Sequence, residues 1–102
     1  MESNKFHIAI SVTDIASSVE DYTNRLGKSP NVVIPNEYAL WRTQHLNFSI
    51  RRSPKDPGTL RHLGWEDPSV SQFTNEKDVN GIVWERFSAE LQDKEINETW
   101  PK

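Results

Sequence analysis

Two of the three histidines in this chain lie inside strand-like runs, where a lone histidine is more often a hydrogen-bonded structural residue than a metal ligand. "FHIAISV" (residues 6–12) holds His7, and "HLGW" (62–65) holds His62. A neutral imidazole binds divalent metals through one ring nitrogen. If His7 and His62 face the same way and a carboxylate joins them, they make a metal site. If they face apart, they are two hydrogen-bonded structural residues. His45, the third histidine, falls in a turn ahead of another strand-like run.

The elements that must position these side chains are legible in the apolar spacing. In "FHIAISV", Phe6, Ile8, Ile10 and Val12 alternate with His7, Ala9 and Ser11, the pattern of a half-buried strand. "TDIASSVEDYTNRLG" then places Ile15, Val19, Tyr22 and Leu26 on one helical stripe, with Thr13 or Asp14 as N-cap and Gly27 as C-cap. That stripe must cover the apolar face of the first strand, which leaves His7 on the other face. "NVVI" (31–34), "EYALWRT" (37–43) and "LNFSIRR" (46–52) read as strands, so the first half is βαβββ. "SPKDPG" (53–58) reads as a linker. "LRHLGWE" (60–66) and "IVWERFS" (82–88) are two further strands, with "SQFTNE" a third candidate between them and a turn signal at Asn80-Gly81. From Ser88 the chain reads as a helix ending before Pro101, with Leu91, Ile96 and Trp100 as a narrow apolar stripe.

Composition excludes several classes. A chain of 102 residues, 34% hydrophobic and 26% charged, is sized and balanced for one folded domain, 1–102. A net charge of −3 gives no basis for binding nucleic acid or an anionic membrane. No apolar run approaches the roughly 18 residues of a membrane span, nor is there a secretory leader, so the expected location is cytoplasmic. The absence of cysteine rules out disulfides, thiolate metal sites and cysteine nucleophiles.

The segments "FHIAISVTDIASSVEDY", "RHLGWE" and "DVNGIVWERF" resemble the vicinal oxygen chelate superfamily, which includes glyoxalase I, extradiol dioxygenases, fosfomycin-resistance proteins and bleomycin-binding proteins. In that family a His-x-Ala-Ile-x-Val-x-Asp strand opens one βαβββ module and a His-Leu-Gly strand opens a second. A last strand carries a metal-binding glutamate, a role that falls here to Glu85. The resemblance implies an α+β fold: a βαβββ module (5–52), a second β module (59–88) and a curved, partly open sheet. It spans most of residues 5 to 88. Between "HLGWE" and "SQFTNE" a full member would hold a helix and a strand, and only "DPSV" stands there, so the second module is trimmed. The C-terminal helix (89–100) is an addition.

Period-2 alternation agrees with the implied ligand set. His7 shares its face with Ala9 and Ser11, His62 with Gly64 and Glu66, and Glu85 with Val83 and Phe87, while Arg61, Leu63 and Trp65 are expected on the opposite face. Two imidazoles and one carboxylate suit Fe, Mn, Zn or Ni as a divalent ion with open positions for a substrate. The strand 46–52 offers Asn47, Ser49 and Arg51 on its polar face, without the fourth carboxylate of the glyoxalase branch. Arg42 and Arg51 are candidate contacts for an anionic group, Asn47 and Ser49 candidate polar contacts, and Phe87 and Trp41 candidate stacking surfaces. His45 and Tyr38 are the candidates for proton transfer.

The expectation is a metal-dependent small-molecule enzyme, a dioxygenase, lyase or transferase. The alternative is a metal-free binding protein that sequesters a small molecule, or a family member that has lost its chemistry. A homodimer is expected, because a trimmed module leaves sheet surface uncovered.

Overall fold

Alternation in the first strand sets the architecture, because its two faces demand different neighbours. In the computed structural model, which describes residues 4–101, β1 (Lys5–Val12) turns Ile10 and Val12 toward α1 (Ile15–Leu26) and His7, Ala9 and Ser11 to the other side. Asp14 caps α1 by accepting from Ser17 N at 3.1 Å, and Gly27 ends it at φ 70°, a left-handed position that glycine takes without a Cβ penalty. Ile15, Val19, Tyr22 and Leu26 pack on Ala39, Trp41, Phe48 and Ile50, one apolar core on the outer face of the sheet.

The fold is α+β, an open, mixed seven-stranded sheet with two helices. β2 (Val32–Ile34), β3 (Tyr38–Arg42), β4 (Leu46–Arg52), β5 (Leu60–Glu66), β6 (Thr74–Lys77) and β7 (Val83–Phe87) join β1 in the order β2-β3-β4-β1-β5-β7-β6. The two halves repeat one pattern. β1 runs parallel to β4, which pairs antiparallel with β3; β5 runs parallel to β7, which pairs antiparallel with β6. β1 and β5 meet antiparallel at the centre. The counterparts of α1 and β2 are missing from the second half, as the short "DPSV" connection requires. Phe6, Trp65 and Trp84 therefore cluster half-buried on the outer face, with Phe6 ring centroids 5.3 and 6.1 Å from those of the tryptophans.

The second helix, α2 (Ala89–Thr99), is capped by Ser88 and lies on the inner face. Ile96 and Trp100 dock on Tyr38 and Leu40, and Val32 and Ile34 close this second core; Leu91 stays half-buried outside it. Among the described residues no helix is long and apolar enough to cross a membrane.

Strand register then lines up one row across the inner face: Arg42, Asn47, His7, Gly64 and Glu85 stand opposite one another on β3, β4, β1, β5 and β7. Gly64 is the tight point. A Cβ there would collide with the Glu85 carbonyl and lie 2.9 Å from the Glu85 amide nitrogen. Gly64→Ala is expected to destabilise the fold by about 3 kcal/mol, read as a lower urea midpoint, because a backbone atom cannot move aside as a side chain can. An unchanged midpoint would show that β5 and β7 separate without cost.

Candidate metal centre

The row brings His7 and Glu85 to either side of Gly64, and His62 stands one diagonal step away, opposite Ala9. His62 Nε2 is 2.9 Å from His7 Nε2 and 3.0 Å from Glu85 Oε1. One donor atom from each of the three residues lies within 4.8 Å of the others. All three expected ligands thus converge on one point of the inner face.

His7 is held in a single tautomer. It is 2% exposed, and its Nδ1 lies 2.8 Å from Asn47 Oδ1 and 3.1 Å from the Asn47 carbonyl. The Asn47 amide cannot be reversed, since its Nδ2 donates to Glu66 Oε1 at 2.9 Å and to Gln92 Oε1 at 2.8 Å. Oδ1 is then the acceptor and His7 Nδ1 carries the proton, so the Nε2 lone pair points at His62. Burial, and after it the neighbouring His62, lower the His7 pKa to about 4, so the ring is neutral at pH 7. His62 Nε2 faces two acceptors, His7 Nε2 and Glu85 Oε1, with at most one proton to give. One of those contacts therefore opposes lone pairs, and a cation between them would relieve it.

A cavity of about 110 Å³ opens beside the cluster, bounded by Tyr38, Arg51, Phe73, Phe87, Glu95 and Trp100. Phe87 stacks on Phe73 at 5.2 Å and meets the His7 ring edge-on at 4.9 Å. Arg51 lies over the Trp100 ring, 5.0 Å from its centroid. Burial pushes the Tyr38 phenol up to about 12, so at neutral pH it is a hydrogen-bond donor and not a base. The Glu95 carboxyl is pushed up by burial and then by Glu85.

Of the remaining sequence candidates, Ser49 lines the cavity, and Arg42, Asn47, His45 and Trp41 do not. Arg42 fastens α2: its Nη2 donates to Gln92 Oε1 at 2.8 Å and to Asp93 Oδ1 at 2.9 Å. Its Nε sits 3.3 Å from Glu66 Oε1, close enough for charge pairing but without hydrogen-bond geometry. Asn47 is consumed in orienting His7. His45 is exposed in the β3–β4 turn, away from Tyr38 and the cluster. Trp41 is fully buried under α1, its Nε1 donating to Lys28 O at 3.0 Å, which removes it as a stacking surface.

Alternation fails at Arg61, expected on the outer face. The β1–β5 register shifts between Ala9 and Ile10, which pair with His62 and Leu60, leaving Arg61 as an extra residue. Such a bulge rotates the strand locally and re-aims a side chain, and Arg61 lines the cavity. No local sequence signal marks it. Gln92 and Glu95 were discoverable, since Gln92, Glu95, Ile96 and Thr99 follow the i, i+3, i+4, i+7 spacing of one helical face.

No family model matches the chain, and no curated protein matches it.

The lowered His7 pKa has a defined sign for stability. The unfolded imidazole takes up a proton near pH 6.5 and the folded one near 4. Stability from this residue is therefore complete above about pH 6.5 and drains away as pH falls toward 4, by about 3 kcal/mol in all. Urea midpoints of chelator-treated protein at pH 7.5 and 4.5 should show the loss, and His7→Gln should flatten that share of it. An equal pH dependence in both proteins would mean that His7 protonates freely in the folded state.

Proposed function

We propose that the protein is a metal-dependent small-molecule enzyme of the vicinal oxygen chelate type, with His7, His62 and Glu85 holding one divalent ion. The observation that carries this reading is the convergence of three donor atoms, one of them locked in its ligating tautomer, on a rigid sheet. Two ligand atoms about 2.1 Å from one ion and at right angles to each other lie about 3.0 Å apart. The His7–His62 and His62–Glu85 distances of 2.9 and 3.0 Å fit that requirement. The strand order with its internal repeat and the "HLGW" and "DVNGIVWERF" motifs support the superfamily reading.

Bound there, Fe, Mn, Zn or Ni would supply a Lewis acid and a template for two adjacent substrate oxygens. The chain supplies the rest. Asn47 aims His7, Phe73 and Phe87 form an apolar wall, and protonated Tyr38 offers a donor. β4 carries no carboxylate, whereas the glyoxalase branch has a glutamate on the last strand of its first module, and this favours a three-ligand site and dioxygenase, lyase or transferase chemistry. A cavity of about 110 Å³ is well under the roughly 300 Å³ of drug-sized pockets, and this weighs against the metal-free sequestering alternative. A cytoplasmic setting suits a cysteine-free chain with a histidine–carboxylate site.

Untagged protein loaded with Fe(II), Mn(II), Ni(II) or Zn(II) should hold close to one ion per chain by plasma mass spectrometry. His62→Ala should lose it, and Asn47→Leu should bind about 10- to 100-fold more weakly through a misdirected His7. No stoichiometric metal in the wild type would overturn the reading and leave a binding protein.

A second copy of the chain is the proposed partner. The half-buried Phe6, Trp65 and Trp84 cluster, where a second helix is missing, supports a homodimer. Light scattering at micromolar concentration should give twice the 11.8 kDa chain mass, and Trp65→Glu should halve it. A wild-type mass of one chain would refute the homodimer.

A further inference from the structure

Three of the arginines, Arg25, Arg42 and Arg86, each pair with a carboxylate. Arg51 and Arg61 form no ion pair among the described residues, yet both line the cavity beside the His–His–Glu cluster. Arg61 is there only because the β5 bulge turns it inward; regular pairing would have left it on the outer face. Arg61 is half-buried and Arg51 stands exposed at the cavity rim, and a half-buried charge without an ion pair is costly unless an anion meets it.

The charge of the cavity points the same way. Among the residues lining the cavity, the two carboxylates, Glu85 and Glu95, are matched in number by the two guanidinium groups, Arg51 and Arg61. A divalent ion on the cluster leaves an excess of two positive charges, to be met by a ligand.

We infer that Arg61, with Arg51 beside it, forms an anion-recognition site, and that the ligand is a small carboxylate bearing a second oxygen on the adjacent carbon. The inference rests on the metal reading above and names the substrate class of that same site. A carboxylate oxygen accepts a charge-assisted hydrogen bond from a guanidinium. One carboxylate oxygen and the adjacent oxygen can then face the cluster while the other carboxylate oxygen meets Arg61. The Phe73–Phe87 wall takes a short apolar remainder, and a cavity of about 110 Å³ admits little more.

The probe is oxalate, titrated calorimetrically into metal-loaded wild type and Arg61→Gln, with metal content measured on the same samples. Acetohydroxamate, which chelates through adjacent oxygens but has no spare carboxylate oxygen, is the control. Arg61→Gln should keep its metal, bind oxalate about 10- to 100-fold more weakly, and bind acetohydroxamate within about threefold of wild type. Equal oxalate affinity in the two metal-loaded proteins overturns the anion site and leaves the metal centre standing. Equal losses for both probes assign Arg61 to the fold and also overturn it. A wild type that takes up no metal overturns the metal reading and this inference with it, and the metal measurement identifies that case.

Discussion

A reciprocal pair of hydrogen bonds between two buried amides holds the centre of this molecule. Asn47 Nδ2 donates to Gln92 Oε1 at 2.8 Å, and Gln92 Nε2 donates back to Asn47 Oδ1 at 3.2 Å. Each amide has one orientation only, because Glu66 and His7 meet the first and Arg42 meets the second. A neutral hydrogen bond is worth only about 1 kcal/mol net, but a buried polar atom left alone costs about 1–3 kcal/mol. The network therefore adds modest stability and a steep penalty for every other arrangement. Docking of α2 and orientation of His7 become one event, since the same side chain fixes both.

This dependence explains how a helix with few apolar residues stays in place. Among the described residues, Ile96 and Trp100 supply its apolar docking on the sheet, over Tyr38, Leu40, Val32 and Ile34. The polar end of the helix is fixed by Arg42, which reaches Gln92, Asp93 and the Ala89 carbonyl. The helix thus closes the cleft from the first half of the sheet, while the trimmed second half leaves its outer face to Phe6, Trp65 and Trp84. Inner closure and outer exposure are two consequences of the same shortened module.

Most of the frame was legible in the sequence because it depends on local pattern. The α1 stripe with its Asp14 and Gly27 caps, the alternation in "FHIAISV" and the strands 46–52 and 60–66 stand where periodicity puts them. The common face of His7, His62 and Glu85 was legible too, since side-chain period and strand pairing give the same answer. What escaped was non-local. Asn47 and Gln92 are 45 residues apart, and no spacing rule joins them. Arg42 stood as a contact for an anionic group by its guanidinium and Asn47 as a polar contact by its strand face, but α2 arrives to occupy them. Arg61 escaped because a one-residue bulge reverses alternation, and only the mismatch between β1 and β5 reveals it.

Several residues that break the rules for a good strand fall at or beside one cavity. A buried histidine, a glycine in mid-strand, a bulge and two arginines without an ion pair among the described residues are each locally unfavourable, and none improves the apolar cores. The α1 side of the sheet has none of these departures: its caps, stripe and alternation agree with one another. Local conflicts concentrated in one place, on a scaffold that is otherwise consistent, are the expected mark of a functional or strained site. Gly64 ties these conflicts together, for the close approach it permits puts Glu85 within reach of His62. The β5 strand thus supplies His62, the space that Glu85 needs and the inward-turned arginine within four residues, Arg61 to Gly64.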